Sequence, residues 1–179
     1  MRIISGLYKS RKIVAPKNLP VRPTTDMAKE SLFNIINNLY YFDEVSVLDL
    51  FAGTGNISYE FASRGTEQIT SVDQDFGCIR FINQIAEKFE MPINTIKSDV
   101  FKFLEKTSMQ VDIIFADPPY GLTNEQFAQI PELIFKNNLL LNNGLLVIEH
   151  SKHTNLSHIN HYAYSKSYGG NTFSFFEVD

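Results

Sequence analysis

The residues best suited to chemistry are Asp117-Pro118-Pro119-Tyr120. They follow Asp112-Ile-Ile-Phe-Ala116, a short apolar run that reads as a buried strand of a parallel sheet. Two successive prolines neither continue a strand ladder nor enter a helix interior, so the chain leaves the sheet here. Each proline fixes its own φ and restricts the residue before it. The strand end therefore presents a carboxylate, a proline carbonyl and an aromatic ring on one rigid turn. Asp117 and the Pro118 carbonyl can both accept hydrogen bonds from one amino group, and Tyr120 can stack on the flat ring that carries it. Such a turn suits an aromatic exocyclic amine, as on a nucleobase edge. The same residues would also serve as a strand terminator followed by an aspartate cap.

A second group lies upstream. Ser46-Val-Leu-Asp-Leu50 reads as a buried strand that runs straight into Phe51-Ala-Gly53-Thr-Gly55, with a helix following to about Ser63. Gly53 and Gly55 let the backbone turn tightly and approach a ligand without a Cβ in the way. The third glycine of the dinucleotide pattern is missing and no Gly-Lys-Ser/Thr follows, which excludes a phosphate-cradling P-loop. Asp73 falls 20 residues beyond Gly53, at the end of a strand over 68–72. An acidic side chain at that distance is where ribose hydroxyls are held. Asp99 follows a strand over 94–97; it could accept a hydrogen bond from an adenine amino group or cap a helix over 101–106. Asp75 is expected to cap the helix Phe76–Phe89.

These groups need a frame. Residues 2–6 and 10–15 carry Ile3, Ile4, Ile13 and Val14 around Leu7-Tyr8-Lys9, a β-hairpin pattern. A proline-rich link leads to a helix capped by Thr24 or Thr25, with an apolar face of Ala28, Leu32, Ile35, Ile36 and Leu39. Beyond Tyr120 the pattern predicts a helix over 124–137 that Pro131 kinks, a turn at Asn142-Asn143-Gly144 and a buried strand over 145–149. A closing antiparallel pair follows over 158–166 and 172–178, around Gly169-Gly170-Asn171. His150, His153, His158 and His161 invite a metal reading, but no cysteine lies near them and no metal site is expected. Cys78 falls in a helix and reads as a core or surface thiol.

The 179 residues, 44% of them hydrophobic, suit one α/β domain spanning 1–179, with 1–23 as an N-terminal hairpin or arm. A single cysteine excludes an intramolecular disulfide framework, and the N-terminus lacks the apolar core of a signal peptide, so a cytoplasmic location is expected. The net charge of −4 is unevenly spread: residues 1–30 hold seven basic side chains against Asp26 and Glu30, leaving the remainder at −9. A basic arm on an acidic body points to a polyanion on one face. Arg2, Lys9, Arg11, Lys12 and Arg22 are the candidates for holding a polyanion's phosphates, and loss of residues 1–15 should leave ligand binding in the body nearly intact. A solvated extension without a partner would carry the same charges.

Asp49-Leu-Phe-Ala-Gly-Thr-Gly55, Asp73, Asp99 and Asp117-Pro-Pro-Tyr120, in that order, resemble the motifs of class I S-adenosylmethionine-dependent methyltransferases. Arg2-Ile-Ile-Ser-Gly6, Arg11-Lys12, Arg22-Pro-Thr-Thr-Asp26, Glu30-Ser-Leu-Phe33 and Tyr168-Gly-Gly-Asn-Thr-Phe-Ser-Phe175 narrow the resemblance to the RsmD-like 16S ribosomal RNA guanine-N2 methyltransferases of bacteria. The resemblance covers essentially the whole chain. Asp73 stands where a glutamate is frequent, and the chain is more acidic than expected of an RNA enzyme.

That likeness implies a Rossmann-like seven-stranded sheet of order 3-2-1-4-5-7-6 with strand 7 antiparallel, and S-adenosylmethionine as cofactor. It implies that Asp49, Phe51, Gly53, Gly55, Asp73, Asp99 and Val100 hold the cofactor, while Asp117, Pro118, Pro119 and Tyr120 hold the target base. It further implies methyl transfer to a guanine N2 of 16S ribosomal RNA, free or within a small-subunit particle, by a monomer. A DNA adenine-N6 methyltransferase would share the amino-group chemistry, but 117–144 leaves no room for its recognition insertion. A non-catalytic RNA-binding or assembly factor on the same fold would not need the intact acidic and glycine motifs.

Overall fold

The structure is a computed structural model that describes residues 1–17, 19 and 24–178. Seven strands form one sheet: β1 (Ser46–Leu50), β2 (Gln68–Asp73), β3 (Ile93–Lys97), β4 (Val111–Ala116), β5 (Leu140–Ser151), β6 (Tyr162–Tyr168) and β7 (Asn171–Glu177). Their order is β3-β2-β1-β4-β5-β7-β6. The first five are parallel to one another, and β7 runs antiparallel to both β5 and β6. This is the Rossmann-like arrangement expected of the sequence.

Helices cover both faces. α1 (Asp26–Leu39), α2 (Asn56–Ser63) and α3 (Phe76–Phe89) pack on one side through Leu32, Phe33, Ile57, Phe61 and Ile82, against Val47, Ile113, Val147 and Phe175 of the sheet. α4 (Val100–Lys106) and α5 (Asn124–Lys136) pack on the other through Leu104, Ile130 and Ile134, against Leu48, Ile114, Leu146 and Phe176. The strand period of two divides the side chains between these cores. The central strands are buried on both faces, which is why they read as continuous apolar runs. Thr25 caps α1, Asp75 caps α3 and Asp99 caps α4, each side chain accepting a backbone N–H of the first turn.

Several expectations are corrected. The N-terminal hairpin is present but short: Arg2 and Lys12 form an antiparallel bridge, the Ile3 and Ile13 N–H groups donate to the Arg11 and Met1 carbonyls, and Ile4 and Ser5 near its tip bond to α2 as well. Asn142-Asn143-Gly144 does not end a strand: β5 runs through it, and the register against β4 jumps from Val111–Leu140 to Ile113–Leu145. Asn143 has the left-handed φ of 62° that its sequence suggests, but as part of an irregularity within the strand. β6 starts at Tyr162 rather than near His158, since residues 156–162 are taken up by successive turns. α5 runs on through Pro131 for more than a turn.

Candidate active site

A cleft of about 710 Å³ opens at the carboxyl ends of the parallel strands. Asp49, Phe51, Gly53, Asp73, Asp99 and Val100 line it, and so do Asp117, Pro118, Pro119 and Tyr120. Of the residues expected around the cofactor only Gly55 stands back from the cavity wall. It is the N-cap of α2 at φ 81°, and a Cβ there would come within 2.8 Å of the Tyr59 ring. Its task is to let the turn close over a buried tyrosine.

The glycine side of the cleft is held by backbone donors. One Asp73 oxygen accepts the Gly53 N–H at 2.8 Å and the other accepts the Asp75 N–H at 2.8 Å. The 20-residue spacing thus has a structural meaning of its own: the carboxylate ties the tip of the glycine turn to the end of β2. Beneath it, buried Asp49 accepts the Ser58 hydroxyl at 2.5 Å, and burial pushes its carboxyl up to about 7 against the opposing pull of that hydrogen bond. Cys78 is buried at the base of α3, its thiol pushed up to about 12, chiefly by burial. It is therefore no nucleophile.

The opposite side is a concentration of carboxylates. The ladder of β4 extends one residue past the strand, with the Asp117 N–H donating to the Leu50 carbonyl at 3.3 Å. Asp117 lies well above the usual carboxylate range, first because it is buried and then because Glu149 and Asp49 stand near. Pro118 is buried, while Pro119 and Tyr120 are exposed at the mouth. A half-buried carboxylate beside an exposed aromatic ring can receive a flat amine-bearing ligand.

Sequence reasoning missed Glu149. It follows the apolar run of β5, is almost wholly inaccessible and lines the cleft. One of its oxygens accepts the Thr24 hydroxyl at 2.9 Å and the other the Asn171 side-chain amide at 2.6 Å. Thr24 belongs to the Arg-Pro-Thr-Thr-Asp stretch and Asn171 to the Tyr-Gly-Gly-Asn-Thr stretch, so the two terminal motifs meet on this one side chain. A charged residue closing an apolar strand beside Asp117 was the available signal. The histidines have other partners: His150 shares hydrogen bonds with Ser174 and the Ser151 carbonyl, and His161 stacks on Phe135.

The basic arm is docked, not free. Glu60, fully buried on α2, accepts the backbone N–H groups of Ile4 and Ser5 at 2.9 and 3.0 Å. Buried Lys29 lies 3.3 Å from Glu60 and donates to the Arg2 carbonyl and to Asn56. Burial lowers the Lys29 pKa while Glu60 raises it, and the two charges together seat the arm. Ile3 and Ile13 enter the core. Removing the arm would leave Glu60 and Lys29 short of partners, so its loss would cost fold stability as well as its exposed basic side chains. Lys9, Arg11 and Lys12 are exposed. Arg11 lies over the Phe89 ring, 4.9 Å from its centroid, and Arg2 pairs with Asp26. Arg2 and Lys12 line a second groove, which also includes Thr54 of the glycine turn. Arg22 lies outside the described residues.

Residues 1–177 match the family described as conserved hypothetical protein 95. The ribosomal RNA small subunit methyltransferase D of Buchnera aphidicola subsp. Baizongia pistaciae is 35% identical over 150 residues, covering 83% of this chain and 75% of that protein. The protein of that name from Escherichia coli K12 is 30% identical over 152 residues, covering 83% and 74%. A solved Escherichia coli structure, the candidate methyltransferase yhhF, is similar with a TM-score of 0.84 at 25% identity, covering 99% of this chain and 97% of that one. A 16S rRNA N2 methyltransferase of Thermus thermophilus, solved with S-adenosylmethionine and guanosine, shares the fold: the TM-score is 0.70 at 18% identity, over 90% of this chain and 45% of that one. Matched from end to end in both sequence and fold, the chain belongs to the conserved hypothetical protein 95 family, that of the ribosomal RNA small subunit methyltransferase D proteins.

Proposed function

We propose that the protein transfers a methyl group from S-adenosylmethionine to the exocyclic N2 of a guanine in 16S ribosomal RNA. The observation that carries this reading is that the Asp117–Tyr120 turn shares one cavity with the Gly53 turn, Asp73 and Asp99. The curated relatives named above carry the name of ribosomal RNA methyltransferases.

The residues present fit the cofactor. The turn at Gly53, leading into the N-terminus of α2, suits a carboxylate. Asp73 would hold the ribose: each of its oxygens has a second lone pair beside the backbone N–H it accepts. Asp99 would take the adenine amino group beside its capping bond, with Val100 and Phe51 against the ring and Asp49 beneath the methionine end. Bound there, S-adenosylmethionine supplies a methyl group on a positively charged sulfur that is already electrophilic.

What remains for the chain is to aim a poor nucleophile. The lone pair of a guanine amino group is delocalised into the ring. Asp117 and the Pro118 carbonyl would accept its two N–H bonds and favour a pyramidal nitrogen whose lone pair faces the methyl. Both acceptors also stabilise the positive charge that develops on that nitrogen. Their fixed placement holds the reacting atoms in line. The methylated amine, now acidic, then loses one N–H proton to solvent. Tyr120 would stack on the base after it leaves its RNA stack. Arg2, Lys9, Arg11 and Lys12 would hold phosphates beside the cleft. The enzyme acts as a monomer in the cytoplasm, on free 16S ribosomal RNA or on a small-subunit particle.

The test uses 16S ribosomal RNA and small subunits from a strain lacking the gene. Incubation with the protein and labelled S-adenosylmethionine should place N2-methylguanosine at one nucleotide, located by primer extension and nucleoside mass spectrometry. Failure to label either substrate, or label on another base, overturns the reading.

A further inference from the structure

The parallel register of β4 and β5 has a chemical result at its end. Ala116 pairs with Ile148, so Asp117 and Glu149 occupy the next positions of the two strands. Neighbouring strands stand about 4.8 Å apart, and side chains at paired positions point to the same face. That face is the one shared by Phe115 and Val147, and both carboxylates line the cleft. Thr24 and Asn171 each donate a hydrogen bond to Glu149, which holds it as an acceptor. The cleft therefore presents two acceptors side by side where a flat amine would lie.

Nucleobases differ in what stands next to their amino group. In guanine one of the two ring nitrogens beside the amine, N1, carries a hydrogen, so that edge offers two adjacent donors. In adenine and in cytosine the corresponding nitrogen is bare and offers a lone pair. A carboxylate placed against that lone pair would repel it and lose its own hydrogen bond. We propose that Glu149 accepts the ring N–H beside the target amino group and is thereby the residue that makes guanine, rather than adenine or cytosine, the base this cleft admits. This rests on the reading of the cleft as a site of amino-group methylation. It gives the two terminal motifs a purpose, because Thr24 and Asn171 fix the orientation of the reading side chain.

The test takes the nucleotide mapped above and rebuilds the RNA by ligation, with either guanosine or 2-aminopurine riboside at that position. The analogue keeps the amino group and lacks the ring hydrogen. Wild-type protein should prefer guanosine by at least about tenfold in kcat/KM. Glu149→Gln can turn its own N–H toward the bare nitrogen, and should narrow that preference to within about threefold. Thr24→Val and Asn171→Ala, which loosen the reading side chain without removing it, should narrow the preference in the same direction but by less than Glu149→Gln. Wild-type protein that uses both RNAs equally overturns the proposal without any variant. Glu149→Gln that slows both equally overturns it too, and reduces Glu149 to a tether. A mapped target other than guanine would instead overturn the assignment of the target base, a result visible before the analogue is made.

Discussion

Asp73 and Asp117 both end central strands and both face the same cleft, yet the chain supports them in opposite ways. Asp73 is held by two backbone N–H groups, and those donors come from its own β2–α3 turn and from the glycine turn next to it. Asp117 lies between Asp49 and Glu149, with burial and like charge pushing its carboxyl up. The first arrangement is main-chain architecture and is complete before any ligand arrives. The second concentrates negative charge at a cost to the fold, and that is the pattern of a site built to meet a donor. The difference teaches where shape ends and chemistry begins in this cleft.

Removing each carboxylate should separate these roles. Asp117→Ala should slow methyl transfer about a thousandfold while cofactor affinity, measured by calorimetry with S-adenosylhomocysteine, stays within about threefold. Equal losses of rate and affinity would place Asp117 in the cofactor pocket and erase the contrast. Asp49 provides the next test, through pH. Its folded carboxyl titrates near 7, above the unfolded value, so the folded state holds the extra proton between about pH 4 and 7. Stability should therefore fall as pH rises through that window, by up to a few kcal/mol. Urea unfolding of Asp49→Asn should lack that part of the slope, whereas a slope identical to the wild type would assign the pH dependence elsewhere.

Asp73→Ala should weaken S-adenosylhomocysteine binding about tenfold, since the ribose loses an acceptor and the Gly53 turn its anchor. Its melting temperature should also drop without ligand, which the loss of a purely ligand-facing group would not cause. A further test concerns the seat of the arm, read as stability rather than binding. Gly6 has φ 84°, and a Cβ there would come within 1.7 Å of the Ser63 carbonyl oxygen. Gly6→Ala should cost about 2 kcal/mol of folding stability. Gly170→Ala, with nothing within 4 Å of its added Cβ, should change stability by less than about 0.5 kcal/mol. Similar melting curves for the two would mean that the arm is not seated on α2.

The contrast also explains what could be read from the chain. β1 and α3 were expected at their observed bounds because a buried run or an aspartate cap is written in neighbouring residues. The glycine turn and Asp73 are 20 residues apart, a distance one repeating strand-helix-strand unit sets. Glu149 was passed over because a charge closing an apolar strand is a weak signal, and its meaning comes from Thr24, 125 residues away, and from strand register. Asn142-Asn143-Gly144 misled because a left-handed asparagine looks the same locally in a turn and in a strand irregularity. The arm was read as a plain hairpin because nothing near it announces Glu60 and Ser63, whose oxygens take up its N–H groups.

The tie from Thr24 through Glu149 to Asn171 bears on the order in which the protein is made. β7 is the last strand of the sheet and lies between β5 and β6, so the sheet cannot close at that edge until residues near 177 have been synthesised. The glycine turn, Asp73 and Asp99 belong to the first hundred residues and need no such wait. Contacts of long sequence separation form late because their loop-closure entropy comes first. A growing chain still on a ribosome therefore has the glycine-turn side of the cleft well before the side around Asp117 and Glu149 is complete.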